Sequence, residues 1–231
     1  MRRVTAPRSS WNSSLRRGCS SCPPADKLLQ DLDRKQPIAG ADLIVLSEHV
    51  DYWNQLGWKD PYSSPFFSER QRDYAESLRS QDVYTPELVI DGQFEAVGSN
   101  WSQVKEAVAR ALKSDKIPLR VSALRSGDTV QIKVSGDQNQ NFKRPLNIFV
   151  VLADNQVQSN VGRGENSGHV LDHVAVVRSM GKVGTAASGS ELAKDTTIRI
   201  NPQWGSKGLR VVAFLQDGNT HHIVGVAQQR L

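Results

Sequence analysis

The chain has 231 residues, 38% hydrophobic and 23% charged, enough for one large domain or two small ones with a buried core. No apolar run approaches the roughly 20 residues that cross a bilayer, so no transmembrane segment is expected. The net charge of +5 does not mark a nucleic-acid binder. Arg2, Arg3, Arg8, Arg16 and Arg17 lie in an acid-free leading stretch, the remaining 24 basic and 24 acidic residues balance, and no basic patch is interleaved with aromatics.

Residues 1–17 are rich in Arg and Ser and lack the apolar centre of a signal peptide. They read as a disordered leader. Next comes Cys19-Ser20-Ser21-Cys22-Pro23-Pro24-Ala25-Asp26, which holds the only two cysteines. A helix-like run follows, with Leu28, Leu29 and Leu32 on one side and Asp31, Asp33, Arg34 and Lys35 around the rest. Proline is tolerated in a helix's first turn, so Cys19 should precede the helix and Cys22 should open it. Unpaired N–H groups and the helix dipole favour a thiolate there. That arrangement suits disulfide exchange, with Cys19 as nucleophile and Cys22 as the resolving thiol. A zinc site would want a second pair of ligands, and His49, His169, His173, His221 and His222 show no finger-like spacing to the cysteines.

Leu43-Ile44-Val45-Leu46 is a buried strand of the parallel-sheet kind. It runs into Ser47-Glu48-His49-Val50-Asp51-Tyr52-Trp53. Functional loops of a parallel sheet gather at the strands' carboxyl ends, which makes Glu48, His49, Asp51 and Trp53 candidate neighbours of the dithiol. A histidine there can stabilise a thiolate or move protons, or simply be structural. A Pro-punctuated aromatic loop over Gly57–Pro65 precedes a helix from about Pro65 to Ser80. Val83-Tyr84-Thr85-Pro86 then opens a strand that ends in Asp91-Gly92, a hairpin signal, with Phe94–Val97 as its partner. Asn100 offers an N-cap for a helix bearing Trp101, Val104, Val108 and Leu112.

After Ile117-Pro118 short alternating strands are expected at Leu119–Leu124, Thr129–Val134, Leu146–Leu152, Thr196–Ile200, Leu209–Leu215 and His222–Val226. They suggest an antiparallel β-sandwich. Val157–Gly184 reads as a long loop, a common place for function. Within it Gly162-Arg163-Gly164-Glu165-Asn166 lacks the Gly-Lys-Ser/Thr ending of a P-loop and reads equally as a cap near the dithiol or a turn. His169 and His173 share a face only if that segment is helical.

The order of CxxC before a helix, a second βα unit, Thr-Pro opening a hairpin and a closing helix resembles the thioredoxin fold. By that resemblance Thr85 and Pro86 form a cis-proline turn that docks substrate backbone. Gly18–Asp26, His49–Trp53, Leu56–Pro61, Tyr84–Pro86 and Gly162–Asn166 together resemble a narrower group, the bacterial secreted thioredoxin-like family of unknown function numbered 1223. The resemblance runs from about residue 18 to 231. It implies an exported, periplasmic or secreted protein, with a thioredoxin-like domain followed by a β-rich one, and supplies no reaction. Upstream of Gly18 the chain departs from the family's apolar first strand. A one-base shift in one allowed codon spelling of Trp11–Arg17 would restore that strand. Residues 1–17 are therefore expected to be a frameshifted leader whose native export signal and first strand are lost, and cytoplasmic retention is possible for this version.

The expectation is thus an α/β thioredoxin-like domain over 18–116 followed by an all-β sandwich-like domain over 117–231. The function expected is thiol–disulfide oxidoreductase, on protein or small thiol substrates. Cys19 and Cys22 are the catalytic pair, Thr85 and Pro86 dock substrate, and His49, Asp51, Trp53 and Glu165 are modulators. No cofactor, metal, nucleic-acid or membrane partner enters this reading. Two alternatives stand beside it: soft-metal binding, such as Cu(I), by the two thiolates with His49, and a non-catalytic binding module with a structural disulfide.

Overall fold

A computed structural model describes residues 2–9, 22–54, 59–137, 142, 144–160, 170–204 and 208–231. In chain order the elements begin with β1 (Arg2–Ser9), α1 (Cys22–Lys35), β2 (Ala41–Glu48), α2 (Pro65–Leu78), β3 (Glu87–Ile90), β4 (Phe94–Val97) and α3 (Trp101–Ala111). They continue with β5 (Leu119–Ser126), β6 (Thr129–Gly136), β7 (Leu146–Asn160), β8 (Val170–Ala186), β9 (Ala193–Arg199), β10 (Leu209–Asp217) and β11 (Ile223–Arg230).

The helix ends follow local chemistry. Pro65 occupies the first turn of α2, and the Ser64 hydroxyl accepts the Phe66 N–H at 3.3 Å, satisfying one of the donors a helix start leaves open. In the same way Asn100 Oδ1 accepts the Gln103 N–H at 3.2 Å and starts α3. Arg34 and Lys35 close α1, where the dipole favours cations. Leu29 and Leu32 of α1 pack with Leu43 and Val45 of β2, Leu88 and Ile90 of β3, and Val104 and Val108 of α3 in one apolar core.

One six-stranded sheet runs in the order β1-β2-β8-β7-β10-β11. β1 pairs parallel with β2 from Arg2↔Ala41 to Ser9↔Glu48, so the Arg-rich leading stretch lends residues 2–9 to the sheet. Pro7 lies within β1, and an edge strand tolerates its missing donor. β2 meets β8 in parallel through a single pair, Ser47↔Val176, and the other pairings are antiparallel. β11 also lies against β1 and β2, which curls the sheet into a nearly closed, barrel-like form. A three-stranded sheet, β5-β6-β9, covers its far end. There Val130, Ile132 and Val134 pack with Val211, Ala213 and Leu215.

This architecture overturns the expected α/β thioredoxin-like domain followed by a sandwich-like one. The chain is mostly β, with 48% strand and 22% helix, and the sheet that contains β1 and β2 continues without a break through β8, β7, β10 and β11. The β3–β4 hairpin forms a separate two-stranded sheet. The thioredoxin label falls with that fold. The redox label, so far as it rested on a thioredoxin fold, falls with it. The misreading has a physical source in β7 and β8, which are 15 and 17 residues long. Register shifts at Ile148/Phe149 and Leu152/Ala153 break the strict alternation by which strands are recognised. The stretch read as a loop from Val157 to Gly184 is largely this hairpin's two arms.

Candidate functional site

Cys22 is the first residue of α1, with Pro23 and Pro24 behind it in the first turn. Three pieces of chain meet at this end of the helix. The Thr85–Pro86 peptide bond is cis, and the Pro86 carbonyl accepts the Gly98 N–H at 2.8 Å. A Cβ at Gly98 would stand 3.2 Å from Pro86 Cβ and 3.5 Å from Ala25 Cβ. The Pro86 turn and Gly98 therefore lie close against the first turn of α1, and a side chain at Gly98 would make Pro86 give by a few tenths of an ångström. Beside them runs a groove of about 410 Å³ lined by Pro24, Leu28, Pro37, Ser99 and Trp101.

Under the same turn lies a buried polar cluster. His173 on β8 is 1% exposed and its Nδ1 stands 3.1 Å from Asp26 Oδ2 of α1. Its Nε2 meets the Ser159 hydroxyl of β7 at 3.2 Å. His49, also 1% exposed, repeats the pattern. Its Nδ1 meets Asp60 Oδ2 at 2.6 Å and its Nε2 the Ser47 hydroxyl at 3.3 Å. The two imidazoles stand edge to face with centroids 5.3 Å apart, and the Tyr62 ring lies 5.6 Å from His49. Burial pushes the Tyr62 hydroxyl's pKa up, partly opposed by Arg178, whose guanidinium lies over the ring at 4.5 Å. Serine, histidine and aspartate in line suggest a nucleophilic triad, but Ser47 and Ser159 are themselves buried and out of a substrate's reach. The chains can fix imidazole orientation and hold or hand on a proton.

The expected modulators separate. His49 joins the cluster. Asp51 instead ties its loop to α2: its N–H donates to Ser68 Oγ at 3.0 Å and its carboxylate accepts from that hydroxyl at 2.6 Å. Trp53 is half-buried and lies against Tyr52 at 5.5 Å. Burial and the nearby Glu87 raise the Tyr52 hydroxyl's pKa to about 12. Glu48 is buried 3.3 Å from Arg70 Nε, and burial raises its pKa despite that partner. Cys19, Glu165 with the rest of Gly162–Asn166, and His169 lie outside the described residues. Both nitrogens of His49 have polar neighbours, Asp60 and Ser47. Among the described residues no group of three or more His, Cys, Asp and Glu could hold a metal.

Sequence reasoning passed over Asp26, Ser47, Asp60 and Ser159 as site residues and paired His173 with His169. One signal was available: Asp26 follows Cys22 by four residues, which places both on one side of a helix.

Fold and site together define a mostly-β protein in which one cysteine-led helix meets a long hairpin through a buried acid–imidazole pair. The chain belongs to the family described as "Protein of unknown function (DUF1223)", whose model matches residues 16–216. It is similar to a structural-genomics crystal structure of a protein from Agrobacterium tumefaciens, at 25% identity and a TM-score of 0.64, covering 98% of this chain and 92% of that one. It also resembles HBP35 of Porphyromonas gingivalis, at 15% identity and a TM-score of 0.66, covering 99% of this chain and 74% of that one. The second likeness is one of fold alone. Comparison with curated proteins gives no match.

Proposed function

We propose that the chain carries out thiol–disulfide exchange at the head of α1, on polypeptide or small thiol partners, in the cell envelope. The observation that carries this reading is the meeting of the Cys22-led first turn of α1 with the Pro86 turn and Gly98. A partner's backbone laid along that turn would bring its sulfur to the end of a helix whose open N–H groups favour a thiolate. In the exchange the Cys19 thiolate attacks one sulfur of a partner disulfide, and the first partner thiol leaves. The Cys22 thiolate then attacks Cys19, closing the Cys19–Cys22 disulfide and releasing the second partner thiol. The dithiol loses two electrons and the partner disulfide gains them.

The test is mass spectrometry of the chain in a graded mixture of reduced and oxidised glutathione. The Cys22→Ser chain should accumulate one glutathione on Cys19, while Cys19→Ser should hold far less. A wild-type disulfide that stays closed below about −300 mV belongs to the structural class. That result would move the chain to the binding-module reading.

A further inference from the structure

We propose that the cavity between β8 and the turn leading into α2 binds a compact ligand through a carboxylate or phosphate group, with Arg178 as the anchor. This site stands apart from the thiol-exchange reading and needs none of its residues. The register of the long hairpin prepares it. Leu152 of β7 pairs with Ser179 and Ala153 with Val177, so Arg178 is the extra residue of a β-bulge, a device that re-aims a side chain. The guanidinium is then held from several sides. Its Nε donates to Asp154 Oδ2 at 2.5 Å and its Nη2 to the Trp204 carbonyl at 3.0 Å. Its Cζ lies 4.5 Å from the Tyr62 ring centroid and 5.8 Å from that of Trp204. Nη1 has no partner among the described residues, and Arg178 lines the cavity.

The cavity encloses about 280 Å³, just under the roughly 300–1,000 Å³ of sites for drug-sized ligands, which suits a compact molecule. Its described lining holds one cation, Arg178, and no carboxylate. Asp154, which balances Arg178, is 0% exposed and does not line the space, so the pair turns its positive end to the cavity. Asp60, the other acid acting on Tyr62, is buried and bound by His49. Ser179 brings a hydroxyl, while Phe67 and Met180 give the space an apolar side. A guanidinium pinned in one plane with a nitrogen to spare recognises an oxyanion. The apolar and aromatic wall takes the body that carries it.

The experiment is an NMR titration of the full chain with benzoate, phenyl phosphate and neutral benzyl alcohol. It is read at the Trp204 indole N–H, assigned from its loss in Trp204→Phe. One or both anions should shift that signal saturably, and the tighter of them names the head group. Benzyl alcohol should bind at least about tenfold more weakly. Arg178→Gln should weaken the anion by about 10- to 100-fold, the range expected when a charge-assisted hydrogen bond is lost, and leave benzyl alcohol unchanged. Ser179→Leu fills the space while keeping both members of the Arg178–Asp154 pair, and should abolish binding. If Arg178→Gln does not fold, Ser179→Leu decides alone, and unchanged affinity refutes. The proposal is overturned if neither anion shifts the signal, if benzyl alcohol binds as well as the anions, or if Arg178→Gln binds like the wild type.

Discussion

Replacing Asp33 by Asn should be among the most damaging single changes to this fold. Asp33, near the end of α1, takes Arg210 of β10 in a two-pronged grip, with Nη1 to Oδ1 at 2.6 Å and Nη2 to Oδ2 at 3.0 Å. Arg210 is 1% exposed. Its remaining described contact is Nε to Asn155 Oδ1 at 2.8 Å. Arg230 of β11 also reaches Asp33, at 3.2 Å, but it is 57% exposed and can turn to water. Asparagine keeps the shape, removes the charge, and turns an amide donor toward a guanidinium donor. Leaving a buried partner uncompensated costs about 3–5 kcal/mol, a large part of the roughly 5–15 kcal/mol that holds a typical domain together. With a urea slope of about 3 kcal/mol per molar, suited to a chain of this size, the midpoint should fall by about 1–1.7 M. Urea unfolding followed by far-UV circular dichroism reads this directly. A loss under about 1 kcal/mol would refute the reasoning, because it would mean that Arg210 finds solvent as readily as Arg230.

Gly92 sits at φ +65°, and a Cβ there would lie 2.0 Å from the His221 carbonyl oxygen. Gly92→Ala must therefore displace backbone, at about 2–3 kcal/mol, and the thermal midpoint should drop by roughly 4–12 °C. A drop below about 1 °C in a thermal scan would show that this turn is loosely held. The pKa of His222 is lowered from 6.5 by burial, with Lys116 and His221 adding to the effect and Asp217 opposing it. The unfolded chain then takes up this proton before the folded one does, so stability is lost as pH falls below 6.5 toward the lowered value. Urea midpoints at about pH 7.5 and 5.5 should differ less in His222→Gln than in the wild type. Equal differences would remove His222 from the acid response.

What was legible in the sequence was local. Ser64 with Pro65, and Asn100, announce helix starts because capping is decided within three residues. Asp91-Gly92 announces the β3–β4 turn because its two positive φ angles, +52° and +65°, suit few other residues. What was not legible depends on distant chain. An aspartate in an amphipathic helix looks like a solvated face until its partner is known, and the partners of Asp26 and Asp33 lie on β8 and β10. The strand order was hidden for a related reason. A parallel pair such as β1–β2 is compatible with many sheets, and nothing in either strand records that β8 is the next neighbour.

These distant partners give the β-rich half a definite part in the candidate site. α1 presents its leucines to the apolar core, while a second stripe along it is polar and points at the long hairpin and the sheet beyond. Asp26 meets His173, the Gln30 side chain donates to the Asp172 carbonyl at 2.8 Å, and Arg34 donates to Gln156 at 2.8 Å. Asp33 meets Arg210. These positions recur at the three- and four-residue steps that line one side of a helix. β2 and β8 share only one ladder pair, and their side chains meet in the apolar cores instead. A helix held by apolar contact alone can slide and turn at small cost, because such contact is non-directional. One held by charged, hydrogen-bonded side chains at several successive points has its axis and rotation set. The head of α1 is therefore aimed by residues of β7, β8 and β10, which makes the β-rich half part of the candidate site's geometry.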